Sequence, residues 1–312
     1  MKRTKQPGYL SLLASGELEQ RVAQARERLA ACDLCPRACG VNRLAGEIGH
    51  CRAGERPKVA SHNVHMWEEP LISGSGGSGT IFFSNCTARC LFCQNYPISQ
   101  LGGGKEVSDE RLAEMMLSLQ QRGCHNINCV TPTHYVPQIL AALLIAARRG
   151  LHIPLLYNTS GYDTVATLRL LENIVDIYLP DAKYADEEVA RRLSSFREYV
   201  VHNRAALLEM HRQVGSKLVL GRDGMARRGM IIRHLILPHG LSQTAEVLRW
   251  IAENLSREVH ISLMAQYFPA HKAPGHPELG RRLTPEEYAE GLAAFKAAGL
   301  KNGWQQELCQ DY

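Results

Sequence analysis

An α/β fold is what this 312-residue sequence predicts: a partial (β/α)6 TIM-like barrel of parallel strands preceded by a small cysteine-rich module. Three observations predict it. From residue 81 onward, short apolar runs alternate with longer helical stretches, the pattern of a parallel sheet covered by helices. About six such βα units are visible, so an open barrel fits better than a closed one of eight. Ahead of them, CDLCPRACGVNRLAGEIGHC is rich in Cys, Gly and Pro and has no clear period. Such a stretch reads as a module ordered by metal rather than by a helix or strand. A boundary near residue 62 divides the chain into a helix and cysteine-rich module (1–62) and a barrel domain (63–312).

The elements follow in order. Residues 1–30, with ELEQRVAQARERLAA, read as helical. The run SGSGGSGT (Ser73–Thr80) places Gly74, Gly76, Gly77 and Gly79 just before the first strand. No GKT or GKS follows, so a close-packed turn is the better reading than a nucleotide-binding loop. Strands are expected at Ile81–Ser84, Ile127–Val130, Pro154–Tyr157, Ile177–Leu179, Ile231–Leu237 and Val259–Met264. Ser108 can cap a helix over 109–122, and Val136–Arg149 and Asp163–Leu171 read as helices. Ser242 can cap 243–255. Thr284-Pro285-Glu286-Glu287 forms a capping box with Pro at the first helical position, opening 285–298. The charged stretch from Asp186 to Val214 is longer than a simple connection and reads as a helical cap or partner surface.

Composition narrows the class. Hydrophobic residues make up 45% and charged residues 21%, an ordinary globular balance. No run of roughly 18 apolar residues exists, so no membrane span is expected. The basic N-terminus, MKRTKQPGYLSLLASG, is too short and broken in its apolar part for a secretory signal. The cytoplasm is the expected location. Residues 1–62 hold eleven Lys or Arg against six Asp or Glu, while the rest of the chain holds 25 of each sign. A basic segment favours an acidic partner. The commoner outcome is a solvated arginine-rich surface, and no nucleic acid is inferred from it.

Ten cysteines are many for a cytoplasmic chain, where clusters bind metal or do chemistry more often than they form disulfides. Four lie at Cys32, Cys35, Cys39 and Cys51, and three at Cys86, Cys90 and Cys93. Cys124 and Cys129 flank a strand and read as small buried hydrophobes, and Cys309 as a free surface thiol. The group of three follows directly on the first expected strand, where loops of parallel α/β folds carry chemistry. Three thiolates on a cubane cluster leave one iron without a protein ligand. An open position separates a working metal site from a closed structural one. Phe92 would shield such a cluster from water. The alternatives are zinc with a fourth ligand from elsewhere, or three reduced thiols.

Cys86-x-x-x-Cys90-x-Phe92-Cys93 after a strand resembles the signature of the radical S-adenosylmethionine (SAM) superfamily. CQNYPISQ, YNTSGYD, DIYLPDAKY, IIRHLILP and SLMAQYFP follow in the order seen in proteins resembling pyruvate formate-lyase activating enzyme. With CDLCPRACGVNR in front, the similarity is greatest to the PflX-type branch of that group. The resemblance implies a radical SAM barrel and a [4Fe–4S] cluster at Cys86, Cys90 and Cys93, whose open iron binds SAM. It implies an electron donor such as flavodoxin or ferredoxin. It also implies reductive cleavage of SAM to methionine and a 5′-deoxyadenosyl radical, which takes a hydrogen atom from the substrate. A protein substrate made into a glycyl radical is the first expectation. A small-molecule or cofactor precursor is the second, and a non-catalytic iron–sulfur or zinc protein the third.

Other residues are placed by the same resemblance. Where that family carries Gly-Gly-Glu near the SAM amino group, this chain has NINCVTPTH, so Thr131, Thr133 and His134 stand there and the carboxylate is missing. Asn158 and Thr159 match a family Asp-Thr-Asn-Gly segment; Asp181 and Lys183 match an Asp-x-Lys segment. These imply contacts to SAM or a monovalent cation, with Lys183 reaching the SAM carboxylate. The plain alternative is an Asp181–Lys183 ion pair at the barrel mouth. Arg233 and His234, adjacent on one strand, must face opposite sides. Gln266 and Tyr267 close the sixth strand and could border adenine or substrate. Cys32, Cys35, Cys39 and Cys51 form a closed set of four, for a second iron–sulfur cluster or for zinc.

Overall fold

The computed structural model describes residues 6–308. Two helices open it, α1 (Gly8–Ser15) and α2 (Glu17–Glu27), where a single helical stretch was expected. Gly16, at φ 76°, ends the first and begins the second. The cysteine-rich stretch contains only a short turn at Arg43–Ala45, consistent with its lack of period. β1 (Lys58–His65) then runs across residue 62, the boundary expected from the sequence.

The remaining elements are α3 (Pro70–Ser73), β2 (Ser78–Phe83), α4 (Tyr96–Ser99), β3 (Lys105–Glu106), α5 (Asp109–Gln121), β4 (Ile127–Val130), α6 (Val136–Arg148), β5 (Leu155–Thr159), α7 (Val165–Leu170) and β6 (Ile177–Pro180). There follow α8 (Glu187–Ser194), α9 (Tyr199–Val214), β7 (Val219–Leu220), β8 (Ala226–Leu235), α10 (Thr244–Asn254), β9 (His260–Met264), α11 (Pro285–Ala297) and β10 (Asn302–Gln305). The sheet order is β10-β9-β8-β6-β5-β4-β2-β1-β3. From β2 to β10 every neighbouring pair is parallel. β1 is antiparallel to β2, and β3 to β1; β7 is an antiparallel appendage on β8. All six expected strands lie in the parallel array, and β10, which was not expected, is its seventh member. The charged stretch after Asp186 is the α8–α9 crossover from β6 to β8 rather than an inserted cap.

Local signals explain most boundaries. Ser108 Oγ accepts from Arg111 N at 3.2 Å, and Thr284 with Glu287 forms the full capping box. Ser242 does not cap α10: Gln243, at φ 46°, holds that position, and Ser242 Oγ accepts instead from Leu237 N at 3.2 Å. The loop leaving β8 buries the Leu237 amide, so the hydroxyl is used there. α7 starts at Val165, two residues later than expected, because the Asp163 carboxylate is taken by hydroxyls inside the core.

Most of the core lies between the sheet and its helices. A smaller cluster fills the barrel itself: Ile72 of α3 packs with Leu156, Ile177, Leu179 and Ile231 of β5, β6 and β8. The segment after β1 therefore plugs the barrel floor, and Trp304 of β10 donates its indole N–H to Glu69 of that plug. The glycine-rich run is the close-packed turn between plug and β2. A side chain at Gly76 would run into the Gly123 carbonyl. Among the described residues, no helix is long and apolar enough to cross a membrane.

Candidate active site

β2 delivers the chain into the three-cysteine loop through Asn85, whose φ of 70° turns it sharply. The loop is pinned on both sides. Arg89 N and Leu91 N donate to Ser194 O and Leu193 O of α8, each at 2.9 Å. Gln100 donates to Cys90 O at 2.8 Å, and Ser99 Oγ lies 3.1 Å from Cys93 Sγ. Phe92 is buried, its ring 5.8 Å from that of Tyr267, so it does pack behind the loop.

The loop covers a cavity of about 360 Å³ at the C-terminal ends of the strands. Cys86, Cys90 and Cys93 line it together with Thr131, Asn158, Thr159, Asp181 and Lys183. A larger hollow of about 490 Å³ lies at the opposite end, beside Pro7, His152 and Arg227, and contains no thiol. Burial pushes the Cys86 thiol up to about 11 and the Cys90 thiol up to about 12, with Lys183 pulling each down. The three thiols all line this one cavity, with no further Cys on its wall among the described residues. That arrangement fits a cluster held at three corners better than a zinc ion, whose sulfur ligands sit at about 2.3 Å.

Opposite the thiols runs a chain of alternating charge. Lys183 Nζ is 2.6 Å from Asp181, and Arg233 is 2.9 Å from the other Asp181 oxygen. Arg233 also donates to Glu68 at 3.1 Å and to Asn158 Oδ1 at 2.6 Å. Asn128 donates to the second Glu68 oxygen at 3.1 Å. Burial would raise the Asp181 carboxyl, but Arg233 and Lys183 outweigh it and hold it below the usual carboxylate range. Burial works against the Lys183 ammonium, and Asp181 and Cys90 more than restore it. The expected Asp181–Lys183 ion pair is present, within a longer network.

Several expected residues lie elsewhere. Thr133 and His134 are buried behind the cavity wall, because Thr133–Tyr135 forms a 3-10 turn that carries them inward. Thr133 Oγ1 donates to Asp163 at 2.8 Å. His134 Nε2 lies 2.9 Å from Ser84 O, its Nδ1 has no partner among the described residues, and burial lowers it to about 3. His134 thus occupies the core rather than the substrate side. Arg233 points into the barrel, while His234 faces away, against Ala182 O and Thr244. Tyr267 OH donates to Leu279 O, and neither it nor exposed Gln266 lines the cavity. Glu68 was not anticipated. It comes from the plug, a segment with no periodic signal, and only the doublet Glu68-Glu69 ahead of Pro70 marked it.

In the N-terminal module, Cys32, Cys35 and Cys51 are buried and Cys39 is exposed. Burial pushes Cys35 and Cys51 up, and the neighbouring Cys32 and Cys39 add to the rise at both. Arg43 is 1% exposed. It donates to Gly54 O and to His134 O, and its NH1 is 3.9 Å from Cys32 Sγ. It has no carboxylate partner among the described residues. A buried guanidinium needs a counter-charge, and a metal–thiolate centre would supply one. Cys124 and Cys129 are buried, as expected; Cys309 lies outside the described residues.

The family profile described as Radical SAM superfamily matches residues 80–226, from β2 to the start of β8. A protein of Methanocaldococcus jannaschii, itself uncharacterised, is 32% identical over 285 residues, covering 88% of this chain and 77% of that one. The chain belongs to the radical SAM superfamily. A pyruvate formate-lyase-activating enzyme of Clostridium pasteurianum is 27% identical over 123 residues, 38% of this chain and 50% of that enzyme. The chain matches about half the length of that relative. The crystal structure of HydG, a maturase of the [FeFe]-hydrogenase, has a TM-score of 0.50 at 12% identity, covering 72% of this chain and 50% of that one. The likeness is one of fold. This radical SAM protein is an enzyme by family, and membership implies a [4Fe–4S] cluster, SAM and an electron donor.

Proposed function

We propose that this radical SAM enzyme modifies a protein partner, as a glycyl-radical activating enzyme would, with its chemistry centred on Cys86, Cys90 and Cys93. The cavity size carries this reading. A pocket for one ligand of SAM's size takes some 300 Å³ or more. The cavity beneath the cysteine loop, about 360 Å³, is of that order and opens to solvent rather than closing over its contents. A substrate presented from outside, on a protein segment, fits better. The partial similarity to an activating enzyme supports it.

The cluster, when bound, supplies one electron to the sulfonium of SAM, giving methionine and a 5′-deoxyadenosyl radical. The protein's part is to hold and shield. Cys86, Cys90 and Cys93 would hold the cluster, and the buried ring of Phe92 would keep water from it. Lys183 and Arg233 provide cations for the SAM carboxylate. Glu68 provides the carboxylate for the SAM ammonium that the Thr131–His134 stretch lacks, with Thr131, Asn158 and Thr159 as neutral partners. The module of residues 1–62 holds a second metal–thiolate centre at Cys32, Cys35, Cys39 and Cys51, iron–sulfur rather than zinc. The barrel of residues 63–312 does the catalysis, β1 joins the two, and the site of action is the cytoplasm.

The test is anaerobic incubation of the reconstituted, reduced enzyme with SAM and candidate partners. A partner radical seen by electron paramagnetic resonance is the expected result. A modified small molecule with no protein radical would favour the precursor reading instead. No reductant-dependent SAM cleavage at all would leave a non-catalytic metal protein.

A further inference from the structure

The resemblance implies that Asn158, Thr159 and Asp181 contact SAM or a monovalent cation, and the oxygens of these residues decide whether an ion fits. Asn158 Oδ1 accepts from Arg233 at 2.6 Å, and Asn158 O from Thr131 N at 2.9 Å. Thr159 Oγ1 donates to Asp163 at 2.7 Å and accepts from Gly161 N at 3.2 Å, so it is turned into the core. Thr159 O accepts from Asp181 N at 2.9 Å. Asp181 Oδ1 accepts from Arg233 at 2.9 Å and Oδ2 from Lys183 at 2.6 Å. Each of these oxygens is engaged, and one guanidinium bridges Asn158 Oδ1 and Asp181 Oδ1. The residues do not fit a bound ion.

Charge excludes an ion as well. Carboxylate and carbonyl oxygens are what a hard cation takes, but Asp181 and Glu68 are already matched by Lys183 and Arg233. An added ion would meet two like charges at close range where little water screens them. The sheet sets the guanidinium in place. Asp181 and Arg233 are bridge partners at the ends of β6 and β8, and Ala182 N donates to Arg233 O at 2.8 Å. The planar fork sends Nε to Asp181, Nη1 to Glu68 and Nη2 to Asn158. Three of its five N–H groups are used, and two remain for an incoming carboxylate.

We propose that Arg233 is this chain's tethered substitute for a monovalent cation. It ties Asn158 to Asp181 as an ion would, keeps positive charge at that end of the cavity in any salt, and frees the enzyme from Na⁺ or K⁺. The neutral Asn158 belongs to the same device. An Asp there, as in the family segment, would set three acids against Arg233 and Lys183, whereas the amide leaves two acids against two bases. The substitution stands on this geometry alone; its consequence for SAM rests on the function proposed above.

The anaerobic holoenzyme, without SAM, is melted by calorimetry in NaCl, KCl and choline chloride at equal ionic strength. Wild type should melt alike in all three. Arg233→Ala leaves two acids facing Lys183 alone and opens room for an ion, so it should melt about 2–4 °C higher in an alkali salt than in choline chloride, saturably. Glu68→Gln/Arg233→Ala, balanced again, should lose that dependence. Equilibrium binding of SAM to the oxidised wild type should be indifferent to the salt. Arg233→Ala should bind SAM at least about tenfold more weakly in choline chloride and recover part of the loss in Na⁺ or K⁺. Saturable stabilisation of the wild type by either ion would overturn the substitution, as would a folded Arg233→Ala that melts alike in all three salts. Folding of Arg233→Ala only in an alkali salt counts as the expected dependence. If it folds in none, Arg233→Lys decides: with the charge kept it should melt alike in all three salts, and alkali-ion dependence there would overturn the proposal. A wild type that binds no SAM in any salt would instead overturn the reading of the cavity and leave the ion result standing.

Discussion

Charge at single residues decides what the cavity can hold. Glu68 has two oxygens facing Arg233 and Asn128 and stands where the sequence shows only threonines and a histidine. Glu68→Gln should weaken SAM binding about ten- to a hundredfold, the loss of one charge-assisted contact of about 1.5–3 kcal/mol, without changing iron content. Equilibrium binding of SAM to the oxidised enzyme checks it. The two core histidines set a pH dependence of a different kind. Burial lowers His134 from 6.5 to about 3 and His234 from 6.5 to about 4. Both are neutral in the fold, so the unfolded chain takes up protons first as the pH drops. Stability present above pH 6.5 is therefore lost progressively as the pH falls towards these lower values. Urea unfolding at pH 7.5 and pH 5 should show the loss, and His234→Gln should make it smaller.

At the scale of elements, capping chemistry was readable where the hydroxyl serves its own helix and misleading where it does not. Thr284 and Glu287 satisfy each other's end of α11. Thr284→Ala should cost about 1 kcal/mol in thermal or urea unfolding. Ser242 looks equally suited to α10 but holds the Leu237 amide. Ser242→Ala should cost about 1–3 kcal/mol, because it strands a buried N–H rather than fraying an exposed helix end. A difference in hydrogen exchange would separate the two: protection lost at the start of α11 in one, at residue 237 in the other. The strands missed by sequence were those without apolar alternation. KVASHNVH of β1 and NGWQ of β10 gain their place from pairing with β2 and β9. Strand propensity is largely what neighbours make of it.

For the whole molecule, the cofactor count is the decisive measurement. Anaerobically reconstituted wild type should carry about eight irons, and a Cys86→Ala/Cys90→Ala/Cys93→Ala variant about four, with no zinc in either. Loss of all iron from that variant would mean that the N-terminal thiols do not hold a cluster of their own. The parallel barrel, its six central strands, the cysteine loop at a strand's end and most of the cavity's polar wall were legible in the chain. These depend on interactions within a loop or a single strand–helix step, where spacing along the sequence is nearly spacing in space. The filled barrel floor, the Glu68–Arg233–Asp181–Lys183 network and the seam joining Arg37 to Thr87 and Arg89 to His50 were decided only by tertiary structure. Each joins residues far apart in the chain, and a hydrogen bond or ion pair acts across about 3 Å of space whatever length of chain lies between its ends.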